Sequence, residues 1–322
     1  MPVTLRSLQA CRAIAALMVL FFHLGPTVQH YFGTAPLYVP FGHAGVDFFF
    51  VLSGFIIMSA HRADVGRPER LQRFLWKRFV RIYPVYWLVF LVAFAGAFRI
   101  LDLTPSAVAK ALLLVPTGIA PVISVAWSLQ WEVVFYLLFA TLIVHPLLAV
   151  AAVLAVLATR LPGGPMYLSL FAAGVGAALV VERWPRLPGR VFAAVGASVF
   201  AAACVVDALT GAKPTAWLGA GAAVMVAGLV RAERAGQVIG GQRGLQLLGN
   251  ASYSLYLVHY PLISVGCKLA TALGLHGESG AWIAYPVLLV AAVLAGVGLH
   301  LAVEQPLIHR LNRRWAPVTP AR

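Results

Sequence analysis

Two ionisable side chains, Arg12 and His23, interrupt the first apolar segment of the chain, and Asp47 lies within the second, GVDFFFVLSGF at 45–55. A charge at bilayer depth costs roughly 2.5–3.5 kcal/mol even on the lenient insertion scale, so residues of this kind are kept for chemistry, for a transport path or as polar ties between helices. An imidazole can take a proton from an attacking hydroxyl, and a carboxylate beside it can fix its tautomer and stabilise the imidazolium. His23 with Asp47 has the residue types for that role. Glu132, in WSLQWEVVFY at 127–136, adds a second carboxylate, and Arg78 and Arg81, in RFVRIYP at 78–84, add two guanidinium groups suited to phosphate.

The elements that must position these residues follow from composition. Of 322 residues, 61% are hydrophobic and 11% charged, and the mean hydropathy is +0.88. Apolar runs recur from end to end, which a water-soluble domain does not accommodate. The chain therefore reads as an all-α, polytopic membrane helix bundle of about ten transmembrane helices, near 8–24, 44–60, 82–98, 126–144, 147–159, 165–181, 191–209, 215–230, 247–266 and 282–303. The fifth is short. A further apolar piece, 107–115, is too brief to cross and is bounded by Pro105 and Pro116, so a surface or re-entrant segment is expected there. Residues 1–322 read as a single integral membrane domain whose basic tail, about 306–322, rests on the inner membrane surface. Arg12 breaks the N-terminal apolar stretch and no small-residue cleavage site follows Leu24, so an uncleaved first span is expected. Gly174 and Ala178 have the spacing of close helix packing.

Charge placement orients the bundle. The net charge of +14 is spread over short segments between apolar runs rather than over one soluble face, which sets nucleic-acid binding aside. With the N-terminus inside, 18 Lys and Arg fall in inner segments and five (Arg99, Lys110, Arg160, Lys213 and Lys268) in outer ones, so both termini are expected in the cytoplasm. His23, Asp47, Glu132 and His259 then lie toward the outer half of the membrane, and Arg78 and Arg81 at the inner edge. Three scattered cysteines, Cys11, Cys204 and Cys267, form no disulfide framework or zinc spacing, and no metal is expected. Asn250-Ala251-Ser252 matches a glycosylation sequon, but it sits on the inner side, where Asn is also a natural helix cap.

A basic inner mouth leading to an imidazole and carboxylates farther out suits an acyl thioester of coenzyme A: arginines hold its phosphates, the pantetheine arm enters the membrane, and His23 activates an acceptor hydroxyl. The same residues carry a family resemblance. Arg12 and His23 with ten residues between them, Gly45-Val46-Asp47 followed by Phe48 and Phe49, Arg78-Phe79-Val80-Arg81, Trp127-Ser128-Leu129 leading to Glu132, Ser252-Tyr253-Ser254-Leu255-Tyr256 with His259, and Glu304 before Pro306 stand in the order of the membrane acyltransferase-3 family, whose members O-acylate cell-surface glycans. The chain is most similar to compact members that decorate exopolysaccharide or lipopolysaccharide and lack an appended hydrolase-like domain. The resemblance implies that His23 is catalytic, that Asp47 and Glu132 belong to the active region, and that Arg12, Arg78 and Arg81 serve the acyl-CoA donor, acetyl-CoA or another. It further implies a lipid-linked or polymeric glycan acceptor, contact with membrane lipids and polysaccharide-assembly proteins, and a bacterial inner-membrane location. One departure is that Val133 and Val134 follow Glu132 where a further polar residue often stands.

Each assignment has a plainer alternative. Asp47 and Glu132 suit helix-tying ion pairs, Arg78 and Arg81 suit inside-facing topology signals, and the roles of His259 and Glu304 stay open. At the level of function, a proton-coupled transporter or flippase uses the same buried ions as a path, and a noncatalytic assembly protein uses them as polar glue. The absence of an evident inverted repeat weighs against transport.

Overall fold

The computed structural model describes residues 5–97, 103–117 and 122–313. Arg99, Arg314, Trp315 and Arg322, used above in the charge count and the tail, lie outside the described residues. All regular elements among the described residues are helical: α1 Arg6–Phe32, α2 Ala44–His61, α3 Leu71–Ala97, α4 Pro105–Leu112, α5 Trp127–Val144, α6 Pro146–Ala158, α7 Gly164–Arg183, α8 Gly189–Thr210, α9 Thr215–Arg234, α10 Arg243–Ala272, α11 Gly277–Leu299, a π-helical turn His300–Glu304, and α12 Gln305–Arg313. Each of the ten apolar segments falls on these helices, the third as far as Ala97, where the described residues pause, and the tenth across α11 and the π-helical turn. Among the described residues eight helical stretches are long and apolar enough to cross a membrane. The expected count of about ten further needs α6 and α10. The 13 residues of α6 reach only about 20 Å, whereas the 30 residues of α10 reach about 45 Å but begin in polar sequence.

Packing sets the direction of the chain through the bundle. Trp131 and Phe135 of α5 stack on Tyr167 and Phe171 of α7 in the same order, so these helices run parallel and α6 carries the chain back between them. Helix α7 also packs closely on α2, where Gly54 faces the backbone of Phe171 and Gly174 that of Val51. A Cβ at Gly174 would overlap the Val51 carbonyl, so glycine is needed for this approach.

Helices α1 and α10 also lie side by side and parallel. Gly249 sits on the backbone of Gln9, Ser252 meets Arg12, and His259 meets His23. This shared register carries the candidate site. The start of α1 is held by Glu233, whose two carboxylate oxygens accept from the Arg6 and Ser7 backbone N–H groups at 2.7 and 2.8 Å, satisfying two donors that a helix N-terminus leaves orphaned.

Two boundaries differ from the sequence reading in ways that matter. Helix α3 starts at Leu71, eleven residues before the apolar run, because its first turns form with charged residues still outside the apolar layer. Arg78 and Arg81 therefore stand on a helix, three residues apart and on one face. The 107–115 piece holds the eight-residue α4, capped by Thr104, whose Oγ1 accepts from Ala107 N–H at 3.3 Å. Its C-terminal carbonyls are covered by α3: Tyr86 donates to Ala111 at 2.8 Å, Trp87 Nε1 to Leu112 at 2.9 Å and Tyr83 to Leu113 at 3.0 Å.

Candidate active site

Helices α1, α2, α3, α5 and α10 enclose a cavity of about 170 Å³ into which Arg12, Arg78, Arg81 and Glu132 all face. Short-range rules place three of them, and a long-range contact the fourth. Arg78 and Arg81 are i, i+3 on α3, and Glu132 and Tyr136 are i, i+4 on α5, so each pair shares a helix face. Arg12 donates from Nε and Nη2 to Ser252 Oγ at 3.2 and 2.9 Å. Glu132 accepts from Ser53 Oγ and is also hydrogen-bonded by Tyr136. The Arg78 guanidinium lies 5.5 Å from the Tyr136 ring centroid and 5.8 Å from that of Phe74, a cation–π arrangement. Its Nε is buried with no hydrogen-bond partner.

Arg81 is differently committed. Its Nη1 donates to Glu304 Oε1 at 2.6 Å, while Ser254 Oγ and His300 Nδ1 donate to Glu304 Oε2 at 2.7 and 2.8 Å. Glu304 is 0% exposed. Three donors converge on a fully buried carboxylate, which is how such a charge is tolerated. His300 and Glu304 begin and end the π-helical turn, and π-turns recur where a helix must re-aim a side chain. Three guanidinium groups face two carboxylates, so the cavity keeps one formal positive charge in excess and suits an anion.

His23 stands eleven residues from Arg12 on α1, about 16 Å along the axis, and does not line the cavity. Its neighbour is His259, 1% exposed. His259 Nδ1 points at the Tyr256 carbonyl at 2.7 Å, so that nitrogen carries the proton and Nε2 is the acceptor. Nε2 lies 3.2 Å from His23 Nδ1, which also points at the Val19 carbonyl at 3.0 Å. In the neutral pair His23 Nδ1 must therefore hold its hydrogen, leaving Nε2 with the lone pair a general base needs. Tyr256 links the two regions: its carbonyl orients His259, and its side chain forms the cavity wall with Ser128, 2.7 Å from its hydroxyl.

Asp47 does not join His23. Among the described residues no hydrogen bond or ion pair connects them, and the charged groups that bear on the 7%-exposed Asp47 are Asp207 and Lys213. The reason is helical phase. Gly45 packs on Ala15 and Val19 of α1, and two residues farther is about 200° around the helix, which turns Asp47 away from α1. Asp207 itself is held by His43 Nε2 at 2.6 Å. The side chain hydrogen-bonded to His23 is His259 rather than Asp47.

The sequence reading did not single out Ser53, Tyr136 and His300, although helical spacing flags the last two, four residues from Glu132 and Glu304. Among the described residues no group of three or more His, Cys, Asp or Glu is placed to share a metal ion.

The chain matches the Acyltransferase domain family across residues 5–301. It is 33% identical to the exopolysaccharide production protein ExoZ of Rhizobium meliloti (strain 1021), over 92% of this chain and 96% of that protein. It is 30% identical to the acyltransferase MdmB of Streptomyces mycarofaciens, over 99% of this chain and 95% of that protein. No solved structure matches it.

Proposed function

The chain belongs to the acyltransferase-3 family, and we propose that this multi-pass membrane acyltransferase is an O-acetyltransferase. In this reading it moves an acetyl group from acetyl-CoA to a sugar hydroxyl of a lipid-linked or growing cell-surface polysaccharide, in a bacterial inner membrane. The observation that carries the reading is the arginine-lined cavity joined, through Tyr256 and α10, to a histidine pair whose hydrogen bonds leave His23 Nε2 free. The name of the exopolysaccharide relative supports a glycan acceptor.

The chemistry balances on His23. Nε2 takes the proton of the acceptor hydroxyl as its oxygen bonds to the thioester carbon; the C–S bond breaks, and the imidazolium returns the proton to the departing coenzyme A thiolate. His259 holds the productive tautomer. The alternative course is acylation of His23 followed by transfer, in which the histidine bridges donor and acceptor regions. Asp47, with no hydrogen bond to His23, serves the active region without orienting the histidine, and Glu132 fixes the cavity wall beside Arg78. Arg12, Arg78 and Arg81 receive the donor; Arg78 has a buried Nε with no hydrogen-bond partner to offer it.

Purified protein given labelled acetyl-CoA and surface glycan should transfer label to the glycan. Gradient-dependent uptake with neither transfer nor thioester hydrolysis would instead establish the transporter. In the same assay Arg78→Gln should raise the donor KM by the equivalent of about 1.5–3 kcal/mol, the worth of a hydrogen bond to a charged group, and flatten its salt dependence. Unchanged donor affinity in a folded variant makes Arg78 a topology signal only.

The same proposal places both termini in the cytoplasm. A cysteine substituted for Thr34 should be labelled by an impermeant thiol reagent from outside, and cysteines replacing Arg67 or Arg234 only after the membrane is opened. Labelling of position 67 in intact cells reverses the orientation and with it the donor side.

A further inference from the structure

A second open space, a slot of about 830 Å³, lies between α7, α8 and α9, at the end of the bundle where Arg183, Arg186 and Arg190 cluster. It shares no residue with the candidate active site. Its floor is made of small and apolar side chains, Ala177 and Val180 of α7, Phe192 of α8, and Ala223 and Ala227 of α9, and its rim carries Trp184 and Arg186. The volume falls within the range of about 300–1,000 Å³ typical of small-molecule sites.

Two independent observations state what fits there. The first is charge. No acidic residue lines the slot, and the carboxylates nearby on α7 and α9 are already engaged: Glu182 accepts from Arg234 at 2.8 Å, and Glu233 caps α1. The second is an unmet donor. Arg231 follows Ala223 and Ala227 at four-residue steps along one face of α9, one turn beyond the slot, and its Nε is buried with no hydrogen-bond partner. Leaving such a donor unsatisfied is costly, and an anion at the rim would satisfy it. Trp184, 57% exposed, is a residue of the kind that marks the headgroup level of a membrane.

We propose that this slot binds an anionic phospholipid of the surrounding bilayer, with an acyl chain along the alanine floor and the phosphate between Arg186 and Arg231. The combination of apolar depth and basic rim is what separates the site from the ordinary lipid-facing surface, where acyl chains bind without preference for the headgroup. The proposal rests on the membrane location alone and is independent of which acyl group or acceptor the enzyme uses.

The test uses full-length protein reconstituted in vesicles in which phosphatidylglycerol or phosphatidylcholine carries brominated chains, with Trp184→Phe subtracted to isolate the Trp184 fluorescence. Trp184 should be quenched by brominated phosphatidylglycerol at a mole fraction about fivefold lower than by brominated phosphatidylcholine, the gain expected of one basic group at an anionic surface. Replacing Arg186 and Arg231 together by Gln should remove that preference, and Ala223→Phe, which fills the slot, should remove the saturable component while leaving the protein folded by circular dichroism. Equal quenching by the two lipids in the wild-type protein, or a saturable preference that survives both variants, overturns the site. Acetyl transfer measured on the same preparations separates this outcome from a failure of the acyltransferase reading.

Discussion

His23→Ala is expected to lower acetyl transfer by about a hundred- to ten-thousand-fold, the range lost when a general base is removed, with the bundle still assembled. His23 is half-buried and its ring is hydrogen-bonded to the Val19 carbonyl and His259, so its removal leaves one buried imidazole acceptor unpaired and no uncompensated charge. His259→Phe distinguishes the orienting role from the chemical one. Without the acceptor at His259 Nε2, the His23 ring keeps only the Val19 carbonyl as a tautomer-fixing partner, so kcat should fall while donor KM holds. Near-normal transfer by folded His23→Ala protein would sink the mechanism. An acetyl adduct trapped on His23 without acceptor would decide for the relay over direct attack.

The parts of this protein that the sequence discloses are those a bilayer imposes locally. Apolar runs identify the helices because each must satisfy its own backbone and present about 20 apolar residues to lipid, and α1, α2, α5 and α7 sit where those runs are. The early start of α3 was not legible, since Arg73, Lys77, Arg78 and Arg81 break the hydropathy signal without breaking the helix. Long-range partnerships were hidden for another reason. His23 meets His259 across 236 residues and Arg81 meets Glu304 across 223, and no spacing rule reaches that far; motif order marked the residues without pairing them. Asp47 shows the limit of pairing by residue type: Gly45 sets the phase of α2 against α1, and the charged groups that bear on the carboxylate are Asp207 and Lys213 rather than His23.

The other large effect concerns Glu304, whose role the sequence left open. Glu304→Ala removes the carboxylate on which Arg81, Ser254 and His300 converge, and stranding one member of a buried ion pair costs about 3–5 kcal/mol, an upper bound here because the Arg81 side chain is 31% exposed. The loss should appear as a lower unfolding midpoint of the detergent-solubilised protein and as reduced amounts in the membrane, before any effect on catalysis is considered. Because the cost lies in the stranded Arg81, the double variant Arg81→Met/Glu304→Leu should recover much of the midpoint while remaining impaired in donor binding, since it removes one of the cavity's three guanidinium groups. Glu304→Gln should fall between, its amide still accepting from Ser254 but no longer balancing Arg81. If Glu304→Ala melts with the wild type, the pair is not what holds α3 to the end of α11, and Arg81 is then free to bind donor phosphate on its own.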